Sequence, residues 1–397
     1  MDVPRVAWTM PRMVFALSPR IHATGTPPIP TVRGWAARYA GAAGPLLDLT
    51  QAVPGYPPHD DLLAKLAEAA GSRASSGYGP IDGEPALREA LAADMARAYG
   101  AAIGAADVAI TAGGNLAFTM AMTVLAAGGG RVVLPAPWYF NHCMALSMLG
   151  ADLVPLPCRA EDGFVPDPDR AASLLDGARA LVLVTPNNPT GATYPPAVIA
   201  RFAALCRDRG VWLVLDETYR EFLDAGAPHE LFAEAAWRDH VVHLTSFSKA
   251  YCVPGHRVGA IAGGPAFRAA LMKALDTMQI CAPRAAQAAL AWAVDGLRDW
   301  RASNRAIMAA RAATARAALA QLPGWRLDAL GAYFAYLRLP DGASDAVALA
   351  ERLAVERGLL ALPGPFFGPG QERHLRPAFA NAEEGVIARV PERLMPG

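Results

Sequence analysis

Lys249 sits in SFSK, just after the apolar run VVHLT. With Lys65 and Lys273 it is one of only three lysines in a chain that carries 33 arginines. A lysine kept here, in a sequence that otherwise uses arginine for positive charge, suggests amine chemistry. An amine can lose its proton and form a Schiff base; a guanidinium cannot. A solvated surface lysine is the plain alternative for any one of the three, and Lys65 and Lys273 fit it. Asp216 closes the run VWLVLD, with Glu217, Thr218 and Tyr219 behind it. Burying such a carboxylate demands a cationic partner, although a helix-capping role would explain it as well.

Two further runs end in residues able to bind a ligand. VAIT is followed by Ala112-Gly113-Gly114-Asn115 and a helical pattern. Glycines let backbone approach an anion closely, and a helix start offers free N–H groups. ALVLV is followed by Thr185-Pro186-Asn187-Asn188-Pro189-Thr190-Gly191, where an asparagine amide can reach a ligand. Ordinary turn chemistry explains both strings equally well.

These residues share a crevice only if the runs before them are neighbouring strands. Non-alternating apolar runs at 108–111, 131–135, 180–184, 211–216, 241–246 and 258–263, with a further strand at 151–157, suit a mostly parallel sheet covered on both faces. Helical periodicity is expected at 60–71, 84–99, 195–209 and 344–357, from 115, from 138, and over a long stretch at 284–321. In such sheets ligands bind beyond the carboxyl ends of the strands. The expected fold class is α/β, with the mostly parallel sheet in a large domain and a smaller α+β domain after it. The expected division is an N-terminal arm with part of the small domain at 1–47, a large domain at 48–285, and a small C-terminal domain at 286–397 that begins in the long connecting helix.

Composition removes other classes. Thirty-six basic residues balance 36 acidic ones, so the basic excess that nucleic-acid binding needs is missing. Hydrophobic residues make up 53% and charged residues 18%, which suits a folded body rather than a disordered one. The five cysteines, at 143, 158, 206, 252 and 281, form no CxxC pair, so neither a zinc site nor a disulfide framework is expected. No apolar run reaches the roughly 20 residues of a membrane span, and Met13–Leu17 is too short for a signal core. A soluble, cytoplasmic protein without metal, membrane or nucleic-acid partner is the expectation.

An anion cradle, an amide, a carboxylate with a phenol, and a lysine with hydroxyls and an arginine match what pyridoxal phosphate requires. The order and spacing of NNPTG, DETY and SFSKAYCVPGHRVG carry a resemblance to the class I/II aminotransferases of fold type I, the aspartate aminotransferase superfamily, over about residues 49–380. The resemblance implies a pyridoxal 5'-phosphate enzyme that moves the α-amino group of an amino acid to a 2-oxo acid by a ping-pong mechanism. It implies that Lys249 is the Schiff-base lysine and that Asp216 pairs with the pyridinium nitrogen. Tyr219 and Asn188 would bond the ring oxygen. Ser246, Ser248 and Arg257, with Gly113, Gly114 and Asn115, would hold the phosphate. Tyr139 falls where the family stacks an aromatic ring, with Trp138 beside it leaving the register open. Tyr78 falls where a tyrosine crosses a dimer interface to the neighbour's phosphate, so a homodimer with shared active sites is implied. Arg376 would clamp the substrate α-carboxylate.

Departures from the family pattern bear on the substrate. Ala52 stands where a glycine is usual, beside the expected substrate carboxylate. The sequence shows no clear second arginine for a dicarboxylic side chain; Arg284 is a candidate, and a surface arginine at a helix start is the simpler reading. The same cofactor also supports lyase, cyclase or oxidase chemistry, which remains the alternative to amino transfer. SFSK also fits the S-x-x-K of serine acyl-transfer enzymes, but none of the three lysines begins the K-T-G that such enzymes need. A non-catalytic regulator that keeps the cofactor as a ligand would want an added DNA-binding segment or basic face, and neither is present.

Overall fold

The computed structural model describes residues 15–223, 226–343 and 345–395. Its centre is a seven-stranded sheet built from β1 (Val108–Thr111), β2 (Arg131–Ala136), β3 (Asp152–Pro157), β4 (Ala178–Val184), β5 (Trp212–Asp216), β6 (Val241–Ser246) and β7 (Gly259–Ala262). Their order is β1-β7-β6-β5-β4-β2-β3, and only β7 runs antiparallel to its neighbours. The inner strands are buried on both faces, as the unbroken apolar runs require. One face packs on the helices Pro85–Tyr99, Pro196–Arg209 and Arg284–Gly296, the other on Gly114–Ala126 and Pro265–Gln279. The carboxyl ends of β4, β5 and β6 deliver Asn188, Asp216 and Ser246 to one edge.

A second, smaller unit holds the antiparallel strands Leu362–Pro363, His374–Arg376, Phe334–Arg338 and Arg326–Gly331, in that order, against the helix Ala346–Arg357. Leu47–Asp48 pairs in parallel with Leu359–Leu360, so the chain passes through this unit before it enters the large sheet. The two units touch at Gly191, in the NNPTG loop, and Gly331. A Cβ on Gly191 would lie 2.3 Å from the Gly331 nitrogen, so both positions need glycine.

The described part of the 1–47 segment, expected as an arm with part of the small domain, forms the helices Pro19–Ala23 and Pro28–Ala36, and Val32 is fully buried against the cluster of Phe140, Leu360 and Phe367. Residues 1–14 of that segment lie outside the described ones. The stretch at 284–321 is two helices, Arg284–Gly296 and Arg298–Leu319, broken where Gly296 meets the non-helical Leu297. The helix Pro265–Gln279 had no counterpart in the sequence reading.

Candidate active site

Where the strand ends meet the smaller unit, a cavity of about 300 Å³ opens. Its lining spans the chain from Ile29 to Arg376. Lys249, in the short helix Phe247–Ala250 after β6, lies inside it and donates to the Ala52 carbonyl. Burial, then the charges of Arg376 and Arg257, push its amine down to about 8. Those causes favour the neutral, nucleophilic form.

Asp216 is buried and accepts from the Thr218 backbone N–H at 3.1 Å and the Thr218 hydroxyl at 2.7 Å. His142 Nε2 lies 3.1 Å from its other oxygen. Burial pushes the Asp216 carboxyl up, but the His142 contact and the Thr218 donors outweigh it and hold the group below its ordinary range. Tyr219 lines the same cavity, its ring edge-on to Tyr333 and Phe334. Asn188 also lines it, and its side-chain oxygen is buried without a partner.

At the glycine turn, Gly114 and Asn115 line the cavity, with Ser246, Ser248 and Arg257. The Ser246 hydroxyl accepts from the Ser248 N–H at 3.2 Å, which starts the lysine-bearing helix. Gly113 stands behind this wall with φ +91°, and a Cβ there would come within 2.4 Å of the Arg257 guanidinium. Only glycine fits that approach. Tyr139 lines the cavity and donates to Asn115 Oδ1 at 3.3 Å, whereas Trp138 packs under Gly368. The structure thus favours Tyr139 over Trp138.

Arg376 closes the opposite wall. Its guanidinium lies between the rings of Phe334 and Phe367 and donates to the Thr50 carbonyl at 2.8 Å. Its Nε and Nη1 are buried without partners. Burial lowers its pKa to about 10, which still leaves it charged at neutral pH. Ala52 is part of the same wall.

Two sequence candidates lie elsewhere in this protomer. Tyr78 is 82% exposed and does not line the cavity. Arg284 is not part of this protomer's cavity wall either: it pairs with Glu84 and donates to the Gly77 carbonyl, next to Tyr78. His142 escaped the sequence reading. It stacks on Phe118 with ring centroids 3.8 Å apart, inside an apolar helix where nothing marks it.

The residues present fit pyridoxal phosphate. A depressed lysine amine, a carboxylate held ionised, amide and phenol donors on Asn188 and Tyr219 and a cradle that a Cβ would fill are the features that the cofactor's aldehyde, ring nitrogen, ring oxygen and phosphate need.

Comparison with known proteins agrees. Residues 45–394 match the family described as aminotransferase class I and II. An aromatic aminotransferase, ISS1, of Arabidopsis thaliana is 29% identical, with 96% of each chain covered. A valine–pyruvate aminotransferase of Mycobacterium tuberculosis is 30% identical over 86% of this chain and 88% of its own. The structure of aspartate aminotransferase from Thermus thermophilus with maleate superimposes with a TM-score of 0.87 at 26% identity, covering 96% of this chain and 99% of that one. The chain belongs to the class I and II aminotransferases, on fold type I. It is a pyridoxal 5'-phosphate-dependent enzyme that transfers an amino group between an amino acid and a 2-oxo acid.

Proposed function

We propose that the amino donor has an uncharged side chain, apolar or aromatic. The observation that carries this reading is the charge inventory of the cavity. Among the described residues of one protomer its cations are Lys249, Arg257 and Arg376, and that protomer brings no fourth to meet a second substrate carboxylate. Two relatives are named for aromatic amino acids and for valine, which supports the reading, although relatives from Thermus are named for aspartate and prephenate.

When bound, pyridoxal phosphate supplies an electron sink for the bond broken at the substrate α-carbon. Around it, Lys249 Nζ anchors the cofactor and carries the α-proton. Asp216, held ionised by His142 and Thr218, keeps a proton on the ring nitrogen. Asn188 and Tyr219 would donate to the ring oxygen, and Tyr139 would supply an aromatic contact to the ring. Ser246, Ser248 and Arg257 hold the phosphate with the Gly113–Asn115 turn. Arg376 would offer its unpartnered Nη1, with the second hydrogen of Nη2, to the α-carboxylate as a fork. The Ala52 methyl narrows the wall beside that carboxylate.

The reading includes a homodimer with shared sites, supported by the exposed Tyr78. It includes a cytoplasmic setting, supported by five free thiols, and a division of the chain at about residues 48 and 285. The test is to mix the cofactor-loaded protein with single amino acids, without acceptor, and follow the cofactor's absorbance. Aromatic and branched amino acids are expected to convert it; faster conversion by aspartate or glutamate overturns the proposal.

A further inference from the structure

We propose that Gln279 is a positioning residue for the phosphate end of the cavity, acting as a stand-in neighbour strand for the open edge of β1. The proposal rests on the cofactor placement given above. β1 is an edge strand, paired on its inner side with β7. Its outward backbone groups would otherwise lack strand partners. The Gln279 side-chain carbonyl accepts from the Ala112 N–H at 3.0 Å, and its amide nitrogen donates to the Ile110 carbonyl at 3.0 Å. The Ile110 N–H donates to the Asp82 carbonyl, also at 3.0 Å. One side chain thus reproduces two rungs of a ladder, at the point where the strand turns into Gly113-Gly114.

That turn has no slack on its inner side. A Cβ on Gly259 would lie 2.6 Å from the Gly113 carbonyl carbon, and Gly113 abuts Arg257. Arg257 and β7 therefore stop the turn from moving inward, and Gln279 stops it from moving outward. The glutamine is itself fixed, because its helix ends at Ile280 in the left-handed region, with the Ile280 N–H bonded back to Leu275 and Asp276. Gln279 does not line the cavity, so it acts through the backbone of residues 110–114.

The test compares equilibrium affinities of the full chain for pyridoxal phosphate and for pyridoxal, which lacks the phosphate. Wild type is expected to prefer the phosphorylated probe. Gln279→Leu is expected to weaken pyridoxal phosphate binding about tenfold, the order for two neutral hydrogen bonds that water can partly replace. Pyridoxal binding should change by less than about twofold, because its contacts do not use the turn. Hydrogen exchange should also quicken at the Ala112 amide. If Gln279→Leu fails to fold, Gln279→Asn, too short to reach both groups, gives the same comparison. Equal weakening of both probes, or an unchanged preference, overturns the role of Gln279. A wild-type protein that binds both probes equally overturns the phosphate placement itself, so the two failures are distinguishable.

Discussion

His142 Nε2 stands 3.1 Å from Asp216, and the same imidazole is stacked face-on against Phe118. A charged carboxylate at the end of an apolar strand thereby gains a donor whose ring cannot swing away. The His142 Nδ1 atom has no partner, so the imidazole is committed to Asp216 alone.

Replacing His142 with Asn should raise the Asp216 pKa, because the contact that lowers it is lost. The acid limb of kcat/KM is expected to move to higher pH. Asp216→Asn should fold, bind cofactor and lose on the order of a hundredfold or more in kcat. A pH–rate profile of each variant checks both outcomes.

The Lys249 amine, lowered to about 8, leaves about one lysine in ten neutral at pH 7, against a fraction of a per cent for an ordinary amine. Cofactor uptake by the cofactor-free protein should therefore rise with pH to a midpoint near 8. Removing the nearby charge in Arg376→Leu should shift that midpoint upward. Stopped-flow mixing across a pH series measures it.

Arg376→Lys keeps the charge and loses the planar fork. KM for the amino acid is expected to rise roughly tenfold to a hundredfold, with cofactor affinity unchanged, because the proposed assignment has the residue meet substrate and not cofactor. A loss of cofactor affinity of the same size would contradict the assignment.

Tyr78→Phe and Lys249→Ala should each impair activity. Mixed and reassembled, the two impaired variants should regain activity, since each hybrid dimer would keep one intact site. Failure to recover any activity after verified subunit exchange would remove Tyr78 from the shared site.

Glu217 makes a prediction about stability. It is fully buried beside His229 and His243 and accepts from Tyr99. Burial pushes its carboxyl up, yet the His229 charge and the His243 contact outweigh this and hold it at about 2. A depressed carboxylate contributes stability that is present above its unfolded pKa, near 4.3, and lost as pH falls toward 2. His229 is also lowered, chiefly by burial, so its contribution fades as pH drops below about 6.5. Glu217→Gln should be less stable at pH 7 but show a flatter decline between pH 5 and 2, read by urea midpoints.

Much of this site was legible before any fold was known. Lys249 stood out because amines are rare in the chain, and Asp216 because carboxylates seldom end apolar runs. The strands showed themselves through unbroken apolar stretches, which a sheet covered on both faces demands. His142 and Gln279 were invisible for a shared reason: each acts on a segment brought near only by folding, and neither interrupts a local pattern. The helix Pro265–Gln279 was missed between more conspicuous neighbours, although Pro265 sits at its first turn, where proline is favoured. The burial of Val32 leaves no local mark, because its proline-rich surroundings suggest loop, yet the short helix they start turns its side chain fully inward.

The cavity wall runs from Ile29 to Arg376, and this has a consequence for biosynthesis. A ribosome releases the reactive lysine well before it makes the last stretch of the wall. The nascent polypeptide thus holds an amine but no finished chamber until the segment that carries Arg376 has left the exit tunnel. A product cut short before Arg376 would lack the guanidinium that completes the cavity lining.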